Sequence, residues 1–212
     1  GKFAFGMDIT GLQTFVPFNT LSDWSWHSFP LPEGMRAEDY RPVAVETHGK
    51  KIAYELRNPD QPELSEWLTK NPHRYNLGRI GFRLLREDGT EAREIDLGNA
   101  RQEIDLWTGV VYSRFELNRK EVKVRTVCHP DKDMIGVSIE SELLNDGNMS
   151  IYLDFPYPDG RYFKHYIGRY DTISGHTSTF EKLAPNSVRI TRTMDDTHYY
   201  ATLDWTGPST FS

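Results

Sequence analysis

Residues 100–155 read ARQEIDLWTGVVYSRFELNRKEVKVRTVCHPDKDMIGVSIESELLNDGNMSIYLDF. Apolar and polar residues alternate along this stretch, and the alternating runs are separated by tight turn signals. That is the pattern of successive antiparallel strands, each with one buried face. Val111, Phe115 and Leu117 share a face. Asn118 and Arg119 turn the chain, and Val122, Val124, Thr126 and Cys128 then face inward against Glu121, Lys123 and Arg125. Ile135, Val137, Ile139 and Leu143 follow, then the turn Asn145-Asp146-Gly147, then the row Met149, Ile151, Leu153 and Phe155. A slip of one residue would turn each such row to solvent, so the register is well specified. Ile104 and Leu106 are expected to share a face just upstream.

The pattern extends outward in both directions. Ile80, Phe82 and Leu84 point one way, Asp88-Gly89 makes a hairpin turn, and Glu94 to Leu97 is expected to return as a strand. Residues 1–17 (GKFAFGMDITGLQTFVP) read as two short strands joined at a turn or bulge. Residues 18–36 form a long loop punctuated by Pro30, Pro32 and Gly34, and residues 43–56 form a hairpin with Gly49 at its turn. One short helix is expected over 59–70, capped by Asp60, opened by Pro62, with Leu64, Trp67 and Leu68 on one face. It ends before Asn71-Pro72, because the residue before proline is pushed out of the helical region. Residues 156–182 read as a loop-rich edge, and Val188–Ile190 and Tyr199–Trp205 supply two more strands. About twelve or more strands and one short helix, near 61–70, give an all-β fold: one large domain over 1–212, built as two antiparallel sheets packed face to face.

Composition narrows the function. The formal charge of −6 argues against nucleic acid, whose phosphates need a basic stripe. No apolar run is long enough to span a membrane. Aromatic residues reach 13%, which suits sheet packing and also sugar-binding surfaces. Cys128 has no partner cysteine and reads as a small buried hydrophobe. The chain opens on the strand-like GKFAFG, so a leader is expected to lie outside it.

The string QEIDLWTGVVYSRFELNRKEVKVRTVCHPDKDMIGVSI resembles the N-terminal β-sandwich of six-hairpin glycoside hydrolases. The matching positions are Ile104-Asp105-Leu106, Thr108-Gly109, Val122 to Thr126, and His129-Pro130-Asp131 leading into Met134-Ile135. GKFAFGMDITGLQTF resembles the opening of such domains, and WLTKNPHRYNLGRIGF, Trp67 to Phe82, is similar to a stretch in uncharacterised bacterial members. The resemblance covers most of the chain. It implies a supersandwich of galactose-mutarotase-like topology. It also implies a C-terminal (α/α)6 barrel on the same polypeptide that carries the catalytic carboxylates. The expected place is periplasmic or extracellular, and the expected partners are that barrel and an oligo- or polysaccharide. No cofactor is implied.

No residue of this chain stands out as catalytic. Glycoside hydrolysis needs two carboxylates flanking one bond, and the 31 acidic residues offer countless pairs, so spacing singles none out. Asp195-Asp196, beside His198, reads as a polar turn before Tyr199. The seven histidines are scattered without metal-ligand spacing, so no metal site is expected. The candidate carbohydrate contacts are Asp23, Trp24, Trp26 and His27. Two indoles two residues apart in a proline-bounded loop suit sugar stacking, with Asp23 or His27 as hydrogen-bonding partners. Arg161, Tyr162 and Tyr166 form a second, weaker aromatic and basic cluster. The leading reading is a non-catalytic sandwich that supports a glycoside hydrolase barrel and shapes its cleft. A stand-alone carbohydrate-binding module and a purely structural or assembly sandwich are the alternatives.

Overall fold

Asn118 and Arg119 both adopt left-handed backbone, φ 52° and 61°, as a two-residue hairpin turn requires. His48 and Gly49 do the same, φ 50° and 71°. These two hairpins share one turn geometry in the computed structural model, which describes residues 2–54, 57–160, 166–172 and 174–212. The described residues form fifteen strands and one α-helix. These are β1 (Phe3–Phe5), β2 (Thr20–Ser22), β3 (Trp26–His27), β4 (Val43–Thr47), β5 (Lys50–Tyr54), α1 (Pro62–Lys70), β6 (His73–Arg74) and β7 (Arg79–Leu84). Then come β8 (Gly98–Asp105), β9 (Val110–Leu117), β10 (Lys120–Cys128), β11 (Ile135–Glu140), β12 (Met149–Asp154), β13 (His176–Ala184), β14 (Ser187–Met194) and β15 (Thr197–Asp204). The fold is all-β and sandwich-like, with multiple antiparallel sheets. The chain divides into two compact units, residues 1–25 with 75–156, and residues 26–74 with 157–212.

In the first unit a four-stranded sheet, β11-β10-β9-β8, shares one core with the pair β12-β7. The expected rows hold: Val111, Phe115 and Leu117 on β9 and Val122, Val124 and Thr126 on β10 are buried. The register explains it, since Val122 lies opposite Phe115 and Val124 opposite Ser113, which places their side chains on one face. Phe82, Leu84, Met149 and Leu143 close the core from the other side. Cys128 is part-buried, and burial pushes its thiol up, so it behaves as a packing residue.

In the row expected on β12, Met149 is buried but Ile151 is exposed, and three further expectations fail for identifiable reasons. Residues 7–17 form a folded loop rather than a second strand. The Asp8 carboxylate accepts from Thr10 N and Oγ1, Phe15 N and Val16 N at 2.6–3.2 Å. Arg79 then clamps the loop carbonyls of Gln13 (2.7 Å) and Thr14 (2.6 Å). Glu94–Asp96 is a 3-10 turn, not a returning strand: the return after the hairpin turn is confined to the Leu85–Glu91 bridge and the Ala92 N–H to Leu84 O bond, and the β7 ladder is made with β12. Ile104 and Leu106 form no buried row. β8 is an exposed edge strand that ends at Asp105, and Leu106 already lies in the turn. The Asp105 carboxylate holds that turn through Trp107 N (2.9 Å) and Thr108 Oγ1 (2.8 Å), leaving Trp107 96% exposed.

In the second unit β13-β14-β15 form one sheet, β4-β5 a hairpin and β3-β6 a two-residue ladder. The central strand β14 buries Val188, Ile190, Arg192 and Met194 on one face. Helix α1 starts at Pro62 as expected, but its N-cap is Gln61, not Asp60. The Gln61 side chain is turned away to Asp39 O and Arg41 N, so it makes no cap bond. Leu64 is buried, whereas Leu68 on the expected face is exposed.

Candidate functional site

The candidate segment alternates between buried and exposed from Trp24 to His27. Ser22, Ser25 and His27 are buried, whereas Asp23, Trp24 and Trp26 are exposed. The chain passes from one compact unit to the other within it. Asp23 and Trp24 belong to the first unit, Trp26 and His27 to the second.

In the first unit Trp24 is 46% exposed. Its indole N–H donates to Asp133 Oδ2 at 2.5 Å, and Ser22 Oγ donates to the same oxygen at 2.6 Å. Tyr75 meets the Trp24 ring edge-on, with centroids 6.5 Å apart. Trp24 is therefore oriented by its polar edge and by the Tyr75 ring. Asp23 lies exposed beside it, its N–H donating to Lys2 O at 2.8 Å.

In the second unit β3 pairs with β6, Trp26 opposite Arg74 and His27 opposite His73. Side chains alternate across a strand, so the ladder has an outer face of Trp26 and Arg74 and an inner face of two histidines. Trp26 is 48% exposed, and the Arg74 guanidinium lies over its ring, 4.6 Å from the centroid. That cation–π pair fixes the indole plane.

His27 is 1% exposed. Both ring nitrogens are engaged: Nδ1 with Thr197 Oγ1 at 2.9 Å and Nε2 with Asp195 Oδ2 at 3.1 Å. The partners assign a neutral ring whose Nε2–H donates to the carboxylate and whose Nδ1 accepts from the hydroxyl. Burial pulls His27 below the ordinary histidine value, against Asp195, which pulls it up. Tyr157 Oη also donates to Asp195 Oδ2, at 2.7 Å. Burial, then that bond, pushes the Tyr157 phenol well up, so it stays protonated. Asp195 sits at φ 47° in the turn between β14 and β15, a left-handed position that aspartate tolerates better than most residues.

Phe29 packs edge-on against His27 and Tyr157, with centroids 4.9 and 6.1 Å away. His73 stacks on Tyr166 at 5.9 Å. Burial lowers His73 as well, and its Nε2 has no hydrogen-bond partner among the described residues. Further in, His176 Nε2–H donates to Thr172 O (2.6 Å), so its Nδ1 accepts from the buried Arg192 (2.7 Å). Tyr199, also buried, is pushed up to about 12 by burial, against the Arg192 charge.

The structure thus displays Trp24 and Trp26 and withdraws His27. The histidine locks the β14–β15 turn onto the strand that carries Trp26. Strand parity held the signal for this: a residue next to an outward tryptophan points inward. The partner, Asp195, is 168 residues away, and sequence reading pairs it with His198. His198 Nδ1 instead meets Thr193 Oγ1 at 3.1 Å. Asp195-Asp196 is a turn, as expected. Tyr166 lies against His73; Arg161 and Tyr162 lie outside the described residues.

Among the described residues no group of three or more His, Cys, Asp or Glu side chains is placed to hold a metal ion. No helix among them is long and apolar enough to cross a membrane. No protein-family model, curated protein or solved structure matches the chain.

Proposed function

We propose that this chain is the non-catalytic sandwich of a carbohydrate-active protein, one that supports a glycoside hydrolase barrel on the same polypeptide and touches its saccharide. The observation that carries the reading is the outer face of the β3–β6 ladder. It holds an indole, half exposed, with a guanidinium over its ring. An indole offers a C–H stacking surface, and an arginine adds several donors in a fixed fork. The His27–Asp195–Tyr157 hydrogen-bond chain, anchored on the buried His27, stiffens that face, and contact residues on locked strands are held more accurately than those on loops. The resemblance of residues 102–139 to hydrolase sandwiches supports the same class.

The test is affinity electrophoresis in native gels cast with soluble polysaccharides. Retardation of the wild-type chain by at least one glycan, lost in Trp26→Ala, is expected. Unretarded migration in every gel would refute the carbohydrate reading.

A further inference from the structure

The sheet β13-β14-β15 carries a second distinctive surface, away from the β3–β6 ladder. The inward face of β14 is apolar apart from Arg192, and the outward face is polar throughout. The register aligns the outward residues in rows across the three strands. Thr179 lies beside Thr191 and Thr191 beside Tyr200. Thr177 lies beside Thr193 and Thr193 beside His198. Rows of this kind are about 4.8 Å apart across the sheet and about 6.7 Å apart along a strand. They place hydroxyls, an imidazole and a phenol ring on a regular lattice.

Tyr200 is 66% exposed in the middle strip of this face. The Arg189 guanidinium stands 5.8 Å from its ring centroid and donates to Glu181 Oε1 at 3.1 Å. The ring is therefore braced from one side, and the charges of the bracing pair cancel. Strand propensity alone favours threonine and tyrosine. It does not set four threonines in register around one braced, exposed ring.

We propose that this outward face binds an uncharged oligosaccharide, with Tyr200 as the stacking platform and Thr179 and Thr191 as hydrogen-bonding positions. The proposal rests on the carbohydrate reading above and adds a separate surface and a ligand class to it. Charge selects the ligand. The local pair sums to zero, so nothing rewards a phosphate chain or a polyuronate. One exposed ring among hydroxyls, beside an arginine already paired with Glu181, is sparse for a protein hot spot, which clusters several Trp, Tyr and Arg anchors. Hydroxyl donors and acceptors beside an aromatic plane match a neutral sugar, which offers both hydroxyls and a C–H face.

The intact chain, Tyr200→Ala, Thr191→Val and Trp26→Ala are titrated calorimetrically with cellohexaose, xylohexaose and mannohexaose. Hexagalacturonate serves as the anionic probe. Binding of at least one neutral hexaose is expected, weakened about tenfold or more in Tyr200→Ala. Thr191→Val keeps a strand-forming residue of the same shape and is expected to weaken it by a smaller factor. Neutral binding that survives Tyr200→Ala and is lost in Trp26→Ala overturns the sheet-face site while leaving the proposed function standing. Tighter binding of hexagalacturonate than of every neutral probe overturns the ligand class. No binding of any of the four overturns both.

Discussion

Replacing Asp195 by glycine tests how the second unit holds its aromatic face. The substitution deletes one carboxylate and nothing else that matters locally. Asp195 sits at φ 47°, and glycine occupies that region without strain. Two bonds are lost, from Tyr157 Oη at 2.7 Å and from His27 Nε2 at 3.1 Å. Their consequences differ. Tyr157 is only part-buried, so water replaces much of what it loses, at a cost of about 1 kcal/mol. His27 is fully buried, so its Nε2–H is left without a partner, at about 2 kcal/mol. The expected loss is about 3 kcal/mol of unfolding free energy, read from urea denaturation followed by near-ultraviolet circular dichroism. A double-mutant cycle with Tyr157→Phe is expected to return about 1 kcal/mol of coupling. A loss below about 1 kcal/mol for Asp195→Gly, with no coupling, would refute the lock.

Burial holds His27 and His73 below the ordinary histidine value, so the unfolded chain takes up protons first as pH falls. Their contribution is present above the unfolded value of about 6.5 and is lost as pH drops below it, with a slope of at most about 1.4 kcal/mol per unit for each group. Urea midpoints measured between neutral pH and mildly acidic pH are expected to fall, and His73→Phe to flatten part of that fall. Phe115 is wholly buried in the first unit's core, and Phe115→Ala is expected to cost about 3–5 kcal/mol in the same assay. Gly11 has φ 84°, and an added Cβ would lie 2.9 Å from Ser113 Oγ. Gly11→Ala is therefore expected to destabilise by more than about 1 kcal/mol, whereas Trp107→Ser at an exposed hairpin tip is expected to change stability by less than about 0.5 kcal/mol.

The sheets were legible because their signal is local. A one-face row such as Val122, Val124 and Thr126 needs no knowledge of its neighbour, and Asn118-Arg119 announces a turn by itself. What stayed hidden depends on partners distant in sequence. Residues 7–17 look strand-like, but the Asp8 carboxylate gathers four donors and folds them into a loop. Glu94–Leu97 look like a return strand, but the return stops at Ala92, and the full β7 ladder is made with β12, some fifty residues on. The exposed indoles at 24 and 26 were visible from composition and punctuation. The burial of His27 was visible only through parity, and its bond to Asp195 not at all. The polar lattice on β13-β14-β15 needs the cross-strand register, which no single strand contains.

Saturation-transfer NMR measures directly whether aromatic side chains of this chain lie against a saccharide, as proposed. The aromatic protons of the intact protein are saturated in the presence of each neutral hexaose, and transfer to the sugar is recorded. Transfer to ring C–H protons of at least one hexaose is expected, diminished in Trp26→Ala and in Tyr200→Ala. No transfer to any saccharide, from a protein that is folded by circular dichroism, would contradict it.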